Sequence, residues 1–429
     1  MDVARIRRRA TLDVLVAMRM VYYRRVTYRE VAFMDFELSE DHLTTQKWVH
    51  EFAEKEIRPV AAHYDEAEEF PWPVLKRAAE VGLFGLEFYL ETLAADPSGL
   101  MFPVCFEETC WGCAGISLGI WGSGLPLTTL AYSGTPEQLL QWAPLMFGTV
   151  DDPKVGALCV TEPDAGSDVS ALRTRARRDG DEWVLNGQKV FITNGGIASV
   201  HVVVATVDPS LGHRGQAAFI VGPGNPGLRQ GKKERKLGIR ASHTAEVLLE
   251  DCRIPLEDVV GGVDRLEAKL EQARSEGASR GSAALKTFEM TRPSVAAQAV
   301  GISRAAFEFA RDYAKERTQF GRPIIDNQGV AFKLADMAME IDAARLLTYR
   351  AAWLVRNGQF HNAEGSMSKL KAGETAVWVT EQAIQILGGY GYIKDFPVEK
   401  WYRDAKIYTI FEGTSEIQRL VISRALARP

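Results

Sequence analysis

Apolar residues in this chain recur at two different spacings, and the change from one to the other and back divides it into a helical, a β and a second helical part. Across residues 40–95, Val49, Phe52, Ile57 and Val60 recur at helical spacing among charges. Asp96-Pro97-Ser98-Gly99 interrupts the pattern, which resumes over 106–120 and again from Pro136 through Trp142 to Leu145. Gly148, Asp151, Asp152 and Pro153 then mark a boundary. Over 154–260 the period is two. Asp179-Gly180 and Asn186-Gly187 read as hairpin turns bracketing a strand over 182–185, and Asn194-Gly195-Gly196 as a turn after 190–193. Strands over 201–207, 217–221 and 244–250 complete a small barrel or sandwich. Farther on, Leu334, Met337, Ile341 and Ala344 form one helical stripe and Val377, Ile384 and Leu387 another, which predicts a four-helix bundle.

Two stretches fall outside this division. Residues 1–33 carry eight arginines against Asp2, Asp13 and Glu30, the balance of an appendage: an organellar presequence, or the product of a start codon upstream of Met34. Residues 262–282, with Asp264-Arg265-Leu266-Glu267-Ala268-Lys269-Leu270, read as an exposed helix or flexible insert.

A net charge of −5 argues against a nucleic-acid partner, whose binding face needs a basic excess. Any phosphate ligand must be met locally. No run reaches the roughly 18–20 uncharged apolar residues of an integral membrane segment. Five cysteines in 429 residues fit a reducing compartment, so a cytoplasmic location is expected, or the mitochondrial matrix if 1–33 is a presequence. Cys105, Cys110 and Cys113 have the C-x4-C-x2-C spacing of an iron–sulfur ligand set. The intervening Glu107-Glu108-Thr109 and Trp111 lack the small residues that wrap a cluster, so buried helical thiols are the preferred reading and no metal is expected.

Chemistry is concentrated in a few segments. The longest runs through Gln385-Ile386-Leu387-Gly388-Gly389-Tyr390-Gly391-Tyr392, Trp401-Tyr402-Arg403-Asp404-Ala405-Lys406 and Phe411-Glu412-Gly413-Thr414-Ser415-Glu416-Ile417-Gln418-Arg419. Ser415-x-x-Gln418 has capping-box spacing, which places Glu412 on the turn before a helix. A carboxylate between Phe411 and a flexible glycine can be desolvated into a stronger base; taken alone, such a residue is more often an ordinary exposed glutamate than a catalyst. Thr161-Glu162-Pro163-Asp164-Ala165-Gly166-Ser167-Asp168 is a hydroxyl-rich loop that lets a cofactor approach backbone amides, though a solvent turn looks similar. Phe191 and Thr193 fall on one strand face, suited to packing on a flat ring while donating a hydrogen bond, or to a plain hairpin.

In this order and on this pattern, the segments resemble the acyl-CoA dehydrogenase family from about Met34 to the C-terminus. The resemblance implies an α+β fold with an N-terminal all-α domain (34–153), a middle β-barrel (154–261) and, after the charged insert (262–282), a C-terminal four-helix bundle (283–429). It implies bound FAD, an acyl-CoA substrate oxidised at its α,β bond as in fatty-acid β-oxidation, electron-transfer flavoprotein as acceptor, and a homotetramer built as a dimer of dimers.

By the same resemblance Glu412 is the base that takes the α proton. Thr291-Arg292-Pro293 matches the medium- and short-chain type, in which no second helix carries a rival glutamate. Leu158, Val160, Thr161, Gly166, Ser167, Phe191, Ile192, Thr193, Thr414 and Glu416 would hold the flavin. Arg317, Gln319, Phe320, Gln328, Gln385, Gly388 and Gly389 would reach the FAD of a neighbouring subunit, an arginine on a pyrophosphate suiting a protein without global positive charge. Ser167, Glu289, Thr291, Arg292 and Gly413 would contact the substrate, and Trp121 would line the distal acyl pocket and shorten it. Phe191 stands where tryptophan is common in the family and His243 where an acidic or amide residue is usual. A flavin monooxygenase on the same fold would not need Glu412, an acyl-CoA oxidase would keep it, and an inactive subunit of a hetero-oligomer would have lost the flavin segments, which are intact.

Overall fold

A computed structural model describes residues 37–275, 283–359 and 363–427, with the backbone alone for 283–289. The N-terminal appendage and residues 276–282 of the charged insert lie outside the described residues. Eight helices come first: α1 (Glu40–Phe52), α2 (Ala61–Ala67), α3 (Trp72–Glu80), α4 (Leu86–Ala95), α5 (Met101–Gly112), α6 (Ala114–Trp121), α7 (Gly124–Ser133) and α8 (Pro136–Trp142). The starts of two of them follow from side-chain caps. Ser39 caps α1 and Thr135 caps α8, each reciprocated by the residue three positions on, His42 and Gln138. Gln138 also donates to the carbonyls of Glu257 and Val259 at 2.6 and 2.7 Å, tying the helices to the end of the β domain. Every residue of α6, and all of α5 after Phe102, is buried, so these two helices form the centre of the domain.

Seven strands follow: β1 (Gly156–Cys159), β2 (Arg175–Asp179), β3 (Glu182–Thr193), β4 (Val200–Thr206), β5 (Gln216–Val221), β6 (Leu228–Lys233) and β7 (Thr244–Pro255). They form one curled sheet in the order β1-β4-β2-β3-β7-β6, with β5 also on β4. Asp179-Gly180 makes the expected turn between β2 and β3. Asn186-Gly187 does not: β3 runs straight through it with a register shift against β7. Glycine is required there by close approach, since a Cβ would lie 2.8 Å from the Thr174 Cα. The polar edge strand β6 has no apolar alternation to announce it.

Helix α9 (Val263–Ser275) occupies most of the segment read as an insert. Rather than standing free, it buries Leu266, Leu270 and Ala273, the two leucines joining the core of the sheet. Charges at the other positions hid this stripe.

The last part is a bundle of α10 (Ala283–Glu316), α11 (Gln328–Arg356), α12 (Glu364–Leu387), α13 (Val398–Ala405) and α14 (Ser415–Leu426); the short hairpin β8 (Thr318–Gln319) and β9 (Arg322–Pro323) follows α10. Ala296, Ala299, Ala306 and Ala310 of α10 and Ala372, Ala376 and Ala383 of α12 are buried in one core, small side chains that permit a close seam. Against α10, Glu107 and Glu108 of α5 are buried and paired: Arg304 Nη1 lies 2.9 Å from Glu107 and 2.7 Å from Glu108, Arg345 grips Glu107 with two donors at 3.0 Å, and His50 meets Glu108 at 2.8 Å. This network joins α1, α5, α10 and α11. On the opposite side the sheet domain meets α13, where Gly238 lies against the Arg403 carbonyl (a Cβ would be 2.3 Å from it) and the Ile239 amide donates to Asp404 at 2.5 Å.

The architecture is the one expected, with the β domain a curled sheet. No described helix is long and apolar enough to cross a membrane. Cys105, Cys110 and Cys113 are free and buried; Cys110 faces the Tyr408 hydroxyl at 3.9 Å and Cys113 the Lys400 ammonium at 3.2 Å.

Candidate active site

Glu412 sits on the turn before α14, as its sequence position predicts, but the cap is Thr414 and not Ser415. Thr414 Oγ1 accepts from the Ile417 amide at 3.3 Å. With isoleucine three residues after the cap, no reciprocal bond can form. Gln418 instead donates back to the carbonyls of Glu412 and Gly413, at 3.2 and 2.9 Å. The turn is tight: Glu412 has φ 54° and Gly413 φ 91°. A non-glycine residue in the left-handed region costs about 1–3 kcal/mol unless its surroundings hold it there, and such strain gathers at working sites.

The carboxylate of Glu412 accepts from Thr291 Oγ1 at 3.3 Å. Burial raises its pKa above the ordinary value, opposed by the Thr291 hydrogen bond and the positive charges of Arg292 and Lys369. Arg292, 2% exposed, is no surface ion pair; its Nη1 donates to Ser366 Oγ at 2.8 Å from beneath the turn.

Two cavities meet at Glu412, sharing it with Gly122, Leu125, Thr193 and Phe411. The smaller, about 210 Å³, runs between α4, α5, α6, α7, α10 and α11 past Tyr89, Phe102, Phe106, Trp121 and Gln298. Its wall is aromatic: the Trp121 ring lies 4.7 Å from Phe106 and 5.9 Å from Tyr89, and its Nε1 donates to Thr109 at 2.9 Å.

The larger cavity, about 620 Å³, is walled by the sheet and the Glu412 turn. Leu158, Val160, Thr161, Gly166, Ser167, Phe191, Ile192, Thr193, Arg292, Gly413 and Thr414 all line it. Hydroxyls from three segments, an exposed aromatic face at Phe191 and open space beside Gly166 suit a flat heteroaromatic ring with a polyhydroxyl arm, so the donor set fits FAD. Phe191 does not get there by simple alternation. It has φ 58° and sits in a register shift of β3 between Lys189 and Ile192, after which Phe191 and Thr193 face the cavity while Ile192, also on its wall, packs into the core of the sheet. The 161–167 loop is fixed from behind, where Glu162 accepts from the Arg173 and Thr174 amides and from buried Lys189 at 2.7 Å. Burial alone would raise the Glu162 carboxyl, but Lys189 and these donors hold it below its usual value.

Other residues singled out from the sequence lie elsewhere. Arg317, Gln319, Gly388 and Gly389 line a separate, open groove between β8 and the end of α12. Phe320 (97% exposed), Gln328 and Gln385 are on the surface, as is Glu416 on the first turn of α14. The side chain of Glu289 lies outside the described residues. His243, buried, has its Nε2 near the Gly195 carbonyl and Gln230, partners that account for it structurally. Among the residues of the site that the sequence reading missed are Ser366, Lys369 and Gln418. The available signal was Lys369 itself, a lysine in register with the buried stripe Ala372, Ala376, Val379 and Ala383.

Comparison with known proteins gives three successive family matches: the acyl-CoA dehydrogenase N-terminal domain over residues 39–148, middle domain over 157–252 and C-terminal domain over 280–427. The chain is 42% identical over 399 residues to the mitochondrial short-chain specific acyl-CoA dehydrogenase of Rattus norvegicus, covering 92% of each. It is 42% identical over 398 residues to the short-chain specific acyl-CoA dehydrogenase of Clostridium acetobutylicum, covering 92% of this chain and all of that one. Among solved structures, butyryl-CoA dehydrogenase from Megasphaera elsdenii superposes with a TM-score of 0.83 at 36% identity, over 92% of this chain and 100% of that one.

Proposed function

The chain belongs to the acyl-CoA dehydrogenase family, and from that premise we propose that Glu412 is the base that removes the α proton of its acyl-CoA substrate. The protein is an FAD-dependent oxidoreductase of the CH–CH group of acyl-CoA, working in fatty-acid β-oxidation with electron-transfer flavoprotein as its partner, in the tetrameric assembly of the family. The observation that carries the base assignment is the position of Glu412 at the junction of an apolar cavity and a hydroxyl-rich one. An acyl chain in the first brings its α and β carbons to that junction.

Bound FAD supplies the acceptor for the hydride that leaves the β carbon. Thr161, Ser167, Phe191, Thr193 and Thr414 would hold its ring and arm, while Arg317, Gln319, Phe320, Gln328, Gln385, Gly388 and Gly389 would reach the cofactor of a neighbouring subunit. On the protein side, burial gives Glu412 the proton affinity that the α carbon demands, and Thr291 fixes the orientation of the carboxylate. Because burial raises its pKa, the acid limb of activity should lie above the ordinary carboxylate range. Anaerobic addition of butyryl-, octanoyl- and phenylpropanoyl-CoA to the purified holoenzyme tests the reading. At least one should bleach the visible flavin absorbance, and failure of all three would reject it.

Trp121, with Phe106, narrows the acyl cavity. We expect Trp121→Ala to raise the ratio of octanoyl-CoA to butyryl-CoA kcat/KM about tenfold, the scale on which a hydrophobic pocket senses a few methylenes. An unchanged ratio would remove Trp121 from the substrate wall. We also infer a cytoplasmic location, supported by the similarity to the bacterial protein of C. acetobutylicum; cell fractionation tests it.

A further inference from the structure

We propose that Lys369 is a positioning residue for Glu412: its ammonium pins the Glu412–Gly413 turn through the Gly413 carbonyl and keeps a fixed positive charge beside the carboxylate. The inference rests on Glu412 being the base. Lys369 projects from α12, is 1% exposed, and its Nζ donates to Gly413 O at 2.7 Å. That carbonyl also accepts from Gln418, which holds the Glu412 carbonyl as well. Two side chains from two helices thus hold the Gly413 carbonyl, one residue after the left-handed Glu412.

A methionine or leucine would fill this place in the α12 seam without the desolvation cost of a buried ammonium. What the lysine adds is a charge. The charged groups around it are Glu412 on the turn, Arg292 on α10, Glu416 on α14 and Glu374 on its own helix. Burial drives Lys369 down to about 8, offset by Glu412 and reinforced by Arg292, so the cation persists at neutral pH. In return it lowers the proton affinity of Glu412, which burial alone would set higher. The base is tuned from two sides: desolvation raises its proton affinity, and the charges of Lys369 and Arg292 oppose that rise.

The test separates charge from packing. Lys369→Gln keeps a hydrogen-bond donor and drops the charge, Lys369→Arg keeps the charge, and Lys369→Met drops both. The probe is phenylacetyl-CoA, which has α hydrogens but none on its β carbon. Exchange of those α hydrogens with deuterium from solvent reports proton removal apart from flavin reduction. Wild type and Lys369→Arg should share one acid-side inflection of the exchange rate against pH. Lys369→Gln and Lys369→Met should move it upward by about one pH unit, the effect of losing an adjacent opposite charge, with flavin content retained. An unmoved inflection in Lys369→Gln overturns the proposal, as does a Lys369→Arg shift equal to that of Lys369→Gln; if Lys369→Met does not fold, those two variants decide. Glu412→Gln separates the two claims. Undiminished exchange in that variant sinks the base assignment itself, whereas an unmoved inflection in Lys369→Gln sinks only the role of Lys369.

Discussion

Glu412→Gln should bind an acyl-CoA and keep its flavin, yet reduce that flavin about a thousandfold more slowly, within the roughly 10²–10⁴-fold range of a positioned general base. Glutamine preserves the volume and can still accept from Thr291, so the turn and both cavities should survive. Only the proton acceptor is lost. Rapid-mixing measurement of flavin bleaching under anaerobic conditions reads the rate, and the spectral perturbation on binding reads affinity. A variant that bleaches at the wild-type rate would show that the α proton leaves by another route.

Arg304→Met should be the most damaging substitution for stability away from the cavities, at about 3–5 kcal/mol, the cost of stripping a partner from buried charges. Arg304 bonds both Glu107 and Glu108, each almost wholly buried. Arg345 would still hold Glu107, but Glu108 would be left with His50 and Gln46. Burial alone would raise the Glu108 carboxyl; Arg304 and His50 hold it down at about 2. A carboxyl depressed in the folded state contributes stability that is present above its ordinary value and lost as pH falls towards the depressed one. The stability gap between wild type and Arg304→Met should therefore be full at neutral pH and narrow on acidification below the ordinary carboxylate range. Denaturant titrations at several pH values measure it, and a gap that widens on acidification would contradict the assignment of the charge.

Much of this was legible in the linear sequence because it rests on local rules. The three-part division follows from a change of period that any segment displays by itself, and capping-box spacing put Glu412 on the turn before a helix, although its role as base came from the family resemblance. What escaped notice depends on distant partners. Asn186-Gly187 looks like a turn until Thr174 is seen to press against it, α9 looks solvated until Leu266 and Leu270 meet the sheet, and Ser415 looks like a cap although Thr414 precedes it. The role of Lys369 was hidden for the same reason: its register with the buried stripe could be read, but its partner, the Gly413 carbonyl, is 44 residues away.

Base and flavin cavity wall come from different bodies, the turn from the helical bundle and the wall from the sheet, and the two meet with almost no clearance where Gly238 lies on Arg403. The span over which a proton and a hydride must leave neighbouring carbons is thus a dimension of the whole molecule, like the gauge of a vice set by its frame. Substitutions that wedge this joint apart, remote from either ligand, would leave both loaded yet out of reach of each other.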